Sequence, residues 1–170
     1  MSLLQTLDRV ALRATLDELG ADAWMLFDFH GLNPVATRML GLKGLATRRL
    51  FTFLPRDGEF TAVAHKIEPV KDFPGTVVLY ARWEELHAAL APLVAGRTLA
   101  MEISPDDAVP YLDRIPHGVV GLLTRLGARV IPSSPLVTRF AAGWTQSELA
   151  DHLVAAEALA EVAQIGRAHV

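Results

Sequence analysis

The chain has 170 residues, 51% of them hydrophobic, and a mean hydropathy of +0.29, which predicts one folded domain with a substantial core. Its net charge of -3 argues against a protein that binds nucleic acid or an anionic membrane. The absence of cysteine excludes disulfides, zinc–thiolate sites and cysteine nucleophiles. No apolar run is long enough to span a bilayer and the first residues do not resemble a signal peptide, so we expect a cytoplasmic protein.

The first predicted elements are a helix, a strand and a second helix. An apolar stripe at helical spacing begins after Ser2 and predicts an amphipathic helix that ends at Gly20. The continuous apolar run 23–27 fits a strand that is covered on both faces. Asn33 then suits the N-cap of a short helix over 34–40.

The middle of the chain predicts a hairpin followed by alternating strands and helices. Strands over 48–54 and 60–67 flank the turn sequence 55–58 and should pair in antiparallel fashion. The later predicted elements are strand 76–80, helix 83–94, strand 99–103, helix 117–126 and strand 129–131. This order favours an α/β fold, a three-layer sandwich with a six-stranded mixed sheet.

A long helix follows the last predicted strand. A capping-box pattern at Thr145 predicts this helix over 145–163, with an alanine-rich apolar stripe. Because the sandwich is complete before it, we interpret 1–144 as one domain and the helix as the lead into a missing domain. We expect the stripe to pack across a neighbouring chain or back onto the sandwich. Gly166 interrupts the helical pattern, so we interpret 164–170 as a non-native end.

The six histidines do not form a recognisable metal site. None lies in an HExxH motif or a close pair, and no carboxylates cluster with them at ligand spacing. They are His30, His65, His87, His117, His152 and His169. Glu148 and His152 lie four residues apart on one helix face, which is more typical of a solvated pair. No G-x-S-x-G motif or phosphate-binding glycine pattern occurs, so a small hydrolase built from scattered His and Glu is a weaker alternative.

Two loops and one strand carry other candidate residues. The segment Gly41–Gly44 has the GxxG spacing of a KH loop, but the acidic chain and the strand order favour a plain helix-to-strand connection. The segment His30–Pro34 follows the first strand, where sites occur in α/β folds, although a turn at Gly31 and a cap at Asn33 explain it as well. Glu102 lies in an apolar strand and needs a hydrogen-bonding partner if it is buried, so we expect it to tie that strand to a neighbouring loop.

Several of these segments occur in a recognisable order. They are Asn33–Leu42, the hairpin at 48–67, Trp83–Leu86, Leu99–Glu102, Gly127–Val137 and Thr145–Leu149. In this order the chain resembles the N-terminal domain of the creatinase, prolidase and aminopeptidase P family of Xaa-Pro metallopeptidases. The family's matching segments include an asparagine-to-YLTG run, an IGVE strand, a GA-x-V strand and a K-S-E-x-E helix start. In this chain the segment that corresponds to YLTG begins at Arg38, and it contains no hydroxyl side chain.

The resemblance implies a ribonuclease-H-like sandwich that is not itself catalytic. Full-length family members carry a C-terminal pita-bread domain in which two Asp, one His and two Glu bind two divalent metal ions (Mn, Co or Zn) and activate a water. None of those ligand motifs occurs here, so we expect the chain alone to be inactive and to hold no metal.

The resemblance also implies partners: the missing C-terminal catalytic domain, a second copy in a homodimer, and a peptide substrate of the full-length enzyme. It gives the N-terminal domain a part in dimerisation and substrate access, for which His30, Asn33 and Arg38 are the candidate residues. The alternative is a stand-alone interaction or small-ligand-binding α/β module with no peptidase partner domain.

Overall fold

Six strands form one mixed sheet at the centre of the molecule. The structure, a computed structural model, describes residues 2–44 and 46–168, with side chains described through residue 165. The strands are β1 Ala23–Asp28, β2 Leu50–Pro55, β3 Thr61–His65, β4 Thr76–Tyr80, β5 Thr98–Met101 and β6 Arg129–Pro132. Their order across the sheet is β4-β3-β2-β1-β5-β6. The β1–β2 and β2–β3 pairs are antiparallel and the other three pairs are parallel, which confirms the predicted hairpin and the predicted mixed sheet.

Helices cover both faces of the sheet, as a three-layer α/β fold requires. They are α1 Arg9–Leu19, α2 Pro34–Leu40, α3 Trp83–Val94, α4 His117–Arg125, α5 Ser134–Leu136 and α6 Gln146–Ala168. Shorter turns are the 3-10 segments Leu3–Thr6, Pro105–Asp107 and Pro110–Leu112 and the π turn Val137–Ala141. Helices α1, α2 and α5 lie on one face, and α3 and α4 lie on the other. Of the described helices, none combines the length and the apolar character needed to cross a membrane.

The central strand β1 contributes side chains to both hydrophobic cores. Trp24 and Leu26 pack with α1, α2 and α5, whereas Met25 and Phe27 pack beneath α3 and α4. All four side chains are buried because helices cover the strand on both sides. The continuous apolar run in the sequence is therefore the middle of a three-layer sandwich, as predicted.

The start of the chain differs from the prediction of one long helix. Leu3–Thr6 forms a separate 3-10 turn capped by Ser2, and α1 begins only after Asp8. The Asp8 carboxylate accepts hydrogen bonds from two amides of the first α1 turn, at 2.9 and 3.0 Å, and so satisfies two donors that would otherwise lack partners. Val10, one of the apolar residues at helical spacing in this segment, is 80% exposed. Gly20 ends α1 in the left-handed conformation with φ of 63°, as predicted.

Helix α6 leaves the sandwich after its first turn. Leu149 and Leu153 are 47% and 56% exposed, so the apolar stripe does not pack back onto the sandwich of its own chain. Packing across a neighbouring chain stays a prediction. The prediction that Gly166 interrupts the helix is wrong, because α6 continues to Ala168. A single glycine costs a helix only about 1 kcal/mol and removes no hydrogen bond. His169 lies outside the described residues.

Candidate functional site

Asn33 joins the loop after β1 to the loop after β5. Its side-chain oxygen accepts hydrogen bonds from the amides of Val35 and Ala36 at 3.1 and 3.3 Å, which confirms its predicted role as the N-cap of α2. Its side-chain nitrogen donates to the Glu102 carboxylate at 2.8 Å and to the Phe27 carbonyl at 2.9 Å. Asn33 is buried and both of its side-chain polar atoms form hydrogen bonds, so its side chain is not open to an external molecule. It can influence the protein surface only by holding its loop in place.

Glu102 is the centre of this buried junction. The same carboxylate accepts hydrogen bonds from the Trp24 indole at 2.8 Å and from the Ser133 hydroxyl at 2.9 Å. Complete burial raises the pKa of the Glu102 carboxyl, although its three donors favour the charged form. The predicted tie between the apolar strand and a neighbouring loop is confirmed, and it extends to the residues that follow β6. This junction fixes three chain segments in one place.

The loop after β1 presents His30 to solvent. The Asp28 carboxylate accepts hydrogen bonds from the amides of Gly31 and Asn33 at 3.0 and 3.1 Å and so folds the chain into a tight turn. His30 has a positive φ of 62° within that turn, and its ring packs against the Phe29 ring with centroids 4.3 Å apart. His30 is exposed. It is therefore the one of the three candidate residues whose side chain is open to an incoming molecule.

Arg38 connects α2 to the start of α6. Its guanidinium contacts both oxygens of Glu148, at 2.9 Å for the longer contact, and donates to the Gly143 carbonyl at 2.7 Å. The Arg38 guanidinium and the hydrogen bonds from Thr145 lower the pKa of Glu148 to about 2. The Thr145 amide donates to Glu148 at 2.7 Å and the Glu148 amide donates to the Thr145 hydroxyl at 3.2 Å, which confirms the predicted capping box.

The three candidate residues are thus not brought together. Asn33 lies in the core, His30 on the surface and Arg38 against α6. Sequence reasoning identified their loop but missed the ion pair, because the partner of Arg38 lies 110 residues further along the chain.

A cleft of about 390 Å³ opens beside this loop and was not predicted. Its lining carries four basic residues, Lys43, Arg48, Arg49 and Lys71. The acidic residue Glu68 accepts hydrogen bonds from the amides of Thr47 and Arg48 at 2.8 and 3.0 Å, and the contact from the Thr47 hydroxyl is the main cause of its lowered pKa. The GxxG segment forms one wall, and Gly41 caps α2 there, as expected of a helix-to-strand connection. The adjacent arginines Arg48 and Arg49, just before β2, are the sequence signal that could have predicted this basic surface.

The described residues do not fit a divalent metal centre. Within 2–44 and 46–168, no group of three or more His, Asp or Glu side chains is placed to hold an ion. Glu148 binds Arg38, and the ring of His152 packs against Trp144 with centroids 4.3 Å apart. The family resemblance implies two metal ions, but no reaction step that needs them can be assigned to the described residues.

No family model matches the sequence, and no curated protein matches it at a significant level. Solved structures do share its fold. The prolidase from Thermococcus sibiricus is 21% identical with a TM-score of 0.63, over 91% of this chain and 41% of that protein. The creatinase/prolidase N-terminal domain of an X-Pro dipeptidase from Streptococcus pyogenes is 20% identical with a TM-score of 0.56, over 77% of this chain and 98% of that domain. A Creatine_N superfamily domain of a dipeptidase from Streptococcus thermophilus is 20% identical with a TM-score of 0.54.

The matches to prolidases and the matches to isolated N-terminal domains differ in how much of the other protein this chain covers. This chain spans 41% of the Thermococcus sibiricus prolidase and 36% of the Pyrococcus horikoshii prolidase, but 98% of each isolated streptococcal domain. In this chain the matched part consists of the six-stranded mixed sheet between two helical layers. The chain therefore has the fold of the creatinase/prolidase N-terminal domains.

Proposed function

We propose that this chain is the non-catalytic N-terminal domain of an Xaa-Pro peptidase of the prolidase or aminopeptidase P type. The observation that carries the proposal is the way α6 is held. Its first turn is bonded to the sandwich through Arg38 and Glu148, while the apolar side chains beyond that turn are exposed. A helix that is fixed in direction but uncovered along its length is suited to lead into a second folded unit.

In this proposal the domain contributes to dimerisation and to substrate access. The exposed stripe on α6 supplies an apolar surface for a partner, which is either the catalytic domain or a second copy of the chain. The loop at His30 lies at an end of the central strand, where it can border a peptide that enters a neighbouring site. Peptide cleavage itself would belong to a catalytic domain with two divalent metal ions, Mn, Co or Zn, in a cytoplasmic enzyme.

The second candidate function is a stand-alone α/β module that binds a partner or a small ligand. The observation that favours it is the presence of formed clefts on the sandwich, of about 390 and 760 Å³, that do not involve α6. In this alternative no peptidase domain exists, and α6 serves only for association.

An activity assay on two lengths of the protein tests the first proposal. We expect the purified 170-residue chain to leave an Xaa-Pro dipeptide intact in the presence of Mn²⁺. We expect the product of the longer reading frame to hydrolyse the dipeptide and to lose this activity with a chelator. Chelator-sensitive hydrolysis by the 170-residue chain would contradict the proposal. A native stop codon directly after Val170 would favour the stand-alone module.

A further inference from the structure

A second cleft, of about 760 Å³, has an aromatic floor. It lies on the face of the sheet that carries α3 and α4. Phe27, Phe51 and Tyr80 form its floor, and all three are buried. The rings of Phe27 and Phe51 are tilted against each other with centroids 4.9 Å apart. The floor is thus held by core packing and forms the apolar base of the cleft.

Two arginines stand at the edge of this floor. Arg48 and Arg49 both line the cleft and are exposed. The Tyr80 hydroxyl donates to the Arg49 carbonyl at 2.7 Å, which fixes the backbone from which the Arg49 side chain projects. Across residues 2–44 and 46–168, neither guanidinium forms an ion pair with a carboxylate. Nη1 of Arg48 donates to the Thr47 carbonyl and hydroxyl at 3.0 and 3.1 Å, so the rest of its guanidinium and that of Arg49 supply the positive charge that an anionic group can bind.

Both ring nitrogens of His65 in the wall form hydrogen bonds. The Ile67 amide donates to Nδ1 of His65 at 3.2 Å, so Nδ1 is unprotonated and Nε2 carries the hydrogen. Nε2 then donates to the Ala81 carbonyl at 3.1 Å. The ring also packs edge-on against Tyr80 with centroids 5.0 Å apart. With both nitrogens engaged and its ring against Tyr80, His65 supports the floor of the cleft.

The mouth of the cleft is open between α3 and α4. Trp83 at the start of α3 lines the cleft and is 58% exposed, although its ring also contacts His87 with centroids 4.5 Å apart. Gly118 in α4 also lines the cleft, and a Cβ atom built there meets nothing within 4 Å. No side chain at position 118 therefore narrows the cleft.

We propose that this cleft binds a small planar aromatic anion. The ring would lie in the cleft against the exposed indole of Trp83, above the aromatic floor, and a carboxylate or sulfonate would reach Arg48 and Arg49. Aromatic contact supplies affinity and the charge-assisted hydrogen bonds supply selectivity for the anion. This inference concerns a site that the proposed peptidase role does not use, and it stands or fails independently of that role.

A matched pair of fluorescent probes tests the proposal on the full 170-residue chain. The anion 8-anilinonaphthalene-1-sulfonate and the neutral N-phenyl-1-naphthylamine share their rings and differ in the sulfonate. We expect the anion to bind at one saturable site, at least roughly tenfold more tightly than the neutral probe, as one charge-assisted contact would give. In the double variant Arg48→Gln/Arg49→Gln this preference should disappear while the neutral probe still binds.

Further variants locate the site. Gly118→Trp should fill the mouth and weaken both probes at least roughly tenfold, a loss that corresponds to one good aromatic contact. Trp83→Ala, at an exposed position, should weaken both probes without any effect on folding. The exposed arginine in the same helix as Gly118 provides a control, because Arg125→Gln should change nothing.

Three results would overturn the proposal. One is equal binding of the two probes by the wild-type chain. Another is binding that survives both Gly118→Trp and Trp83→Ala but is lost in Lys43→Gln/Lys71→Gln, which would assign the anion to the smaller cleft. The third is binding that is lost in Leu149→Glu/Leu153→Glu, which would assign the probe to α6.

Discussion

Arg38 and Glu148 lie 110 residues apart in the chain, and their guanidinium and carboxylate meet in a two-point contact at the base of α6. Arg38 also holds the Gly143 carbonyl, so one side chain fixes both the turn before the helix and its first acidic residue. The direction in which α6 leaves the sandwich therefore depends on this arginine.

Arg38→Ala should loosen the start of α6 and leave the sandwich intact. The pair is partly exposed, so we expect amide protection over residues 146–149 to fall by roughly two- to fivefold, as is usual for such pairs. Hydrogen exchange followed by mass spectrometry measures this. Arg82→Ala, which removes an exposed pair with Glu85 at the start of α3, is the matched control. Unchanged protection in Arg38→Ala would show that the contact does not hold α6.

The same contact should be lost in acid. Because the folded-state pKa of Glu148 is lowered from 4.5 to about 2, the contribution of its charge is complete above pH 4.5 and disappears as the pH falls towards 2. We expect an NMR titration of the Glu148 carboxyl carbon to have its midpoint near the lower value. In Arg38→Ala the midpoint should move up towards 4.5. A wild-type midpoint that is already near 4.5 would contradict the ion pair in solution.

Glu102→Ala should be strongly destabilising. It leaves the Trp24 indole, the Asn33 amide and the Ser133 hydroxyl buried without their acceptor, which should cost about 3–5 kcal/mol of unfolding free energy. Glu102→Gln should cost less, because it keeps one acceptor oxygen. Urea unfolding of the three proteins measures both effects. A loss below about 1 kcal/mol in Glu102→Ala would mean that the junction is not a structural tie.

The stability difference between wild type and Glu102→Gln should depend on pH in a defined direction. Burial raises the pKa of Glu102 above 4.5, so the favourable neutral form contributes fully below pH 4.5. That contribution is lost as the pH rises through the folded-state pKa. We therefore expect the advantage of wild type over Glu102→Gln to shrink between acidic and neutral pH, and a growing advantage would disagree with the raised pKa.

Thr52→Val should stabilise the protein. The Thr52 hydroxyl is buried in β2 and has no hydrogen-bond partner among the residues that the structure describes. Valine has nearly the same shape without the unpaired oxygen, so the unfolding free energy should rise by about 1 kcal/mol. Thr15→Val is the control, because the Thr15 hydroxyl donates to the Ala11 carbonyl at 2.8 Å and its loss should destabilise.

Leu149→Glu/Leu153→Glu should weaken self-association without unfolding the sandwich. Both leucines lie on the exposed stripe of α6, where they make no contribution to either core. Each leucine buried in a dimer supplies about 1.5–3 kcal/mol of favourable burial, so the dimer should weaken at least tenfold. Sedimentation velocity over a range of concentrations measures this. A wild-type chain that stays monomeric at high concentration would contradict the expected dimer.

Local sequence rules predicted the elements that depend on neighbouring residues. The caps at Asn33 and Thr145 and the apolar run of β1 follow from side chains within a few positions, and all three are confirmed. The opening helix was predicted wrongly because the segment holds two caps: Ser2 caps the 3-10 turn and Asp8 caps α1. Asp8 starts a new helix because its carboxylate satisfies two amides of the first α1 turn.

Local sequence rules could not predict contacts between distant parts of the chain. Glu102 was recognised as a polar residue that needs a partner, but its donors come from positions 24, 33 and 133 and meet only because of the strand order. The pairing of Arg38 with Glu148 and the clefts bordered by Arg48 and Arg49 likewise depend on tertiary packing, which a single sequence does not encode in a readable pattern.

The strand order has a consequence for how the chain reaches this structure. On one side β1 pairs with β2, where Phe27 faces Phe51, and on the other it pairs with β5, where Ala23 lies beside Leu99. Since closing a short loop loses less entropy than closing a long one, the β1–β2–β3 meander should form early and β5 should dock later. The Glu102 carboxylate, which follows β5, is then buried only after its hydrogen-bond donors, the indole of Trp24 and the side-chain amide of Asn33, are in place.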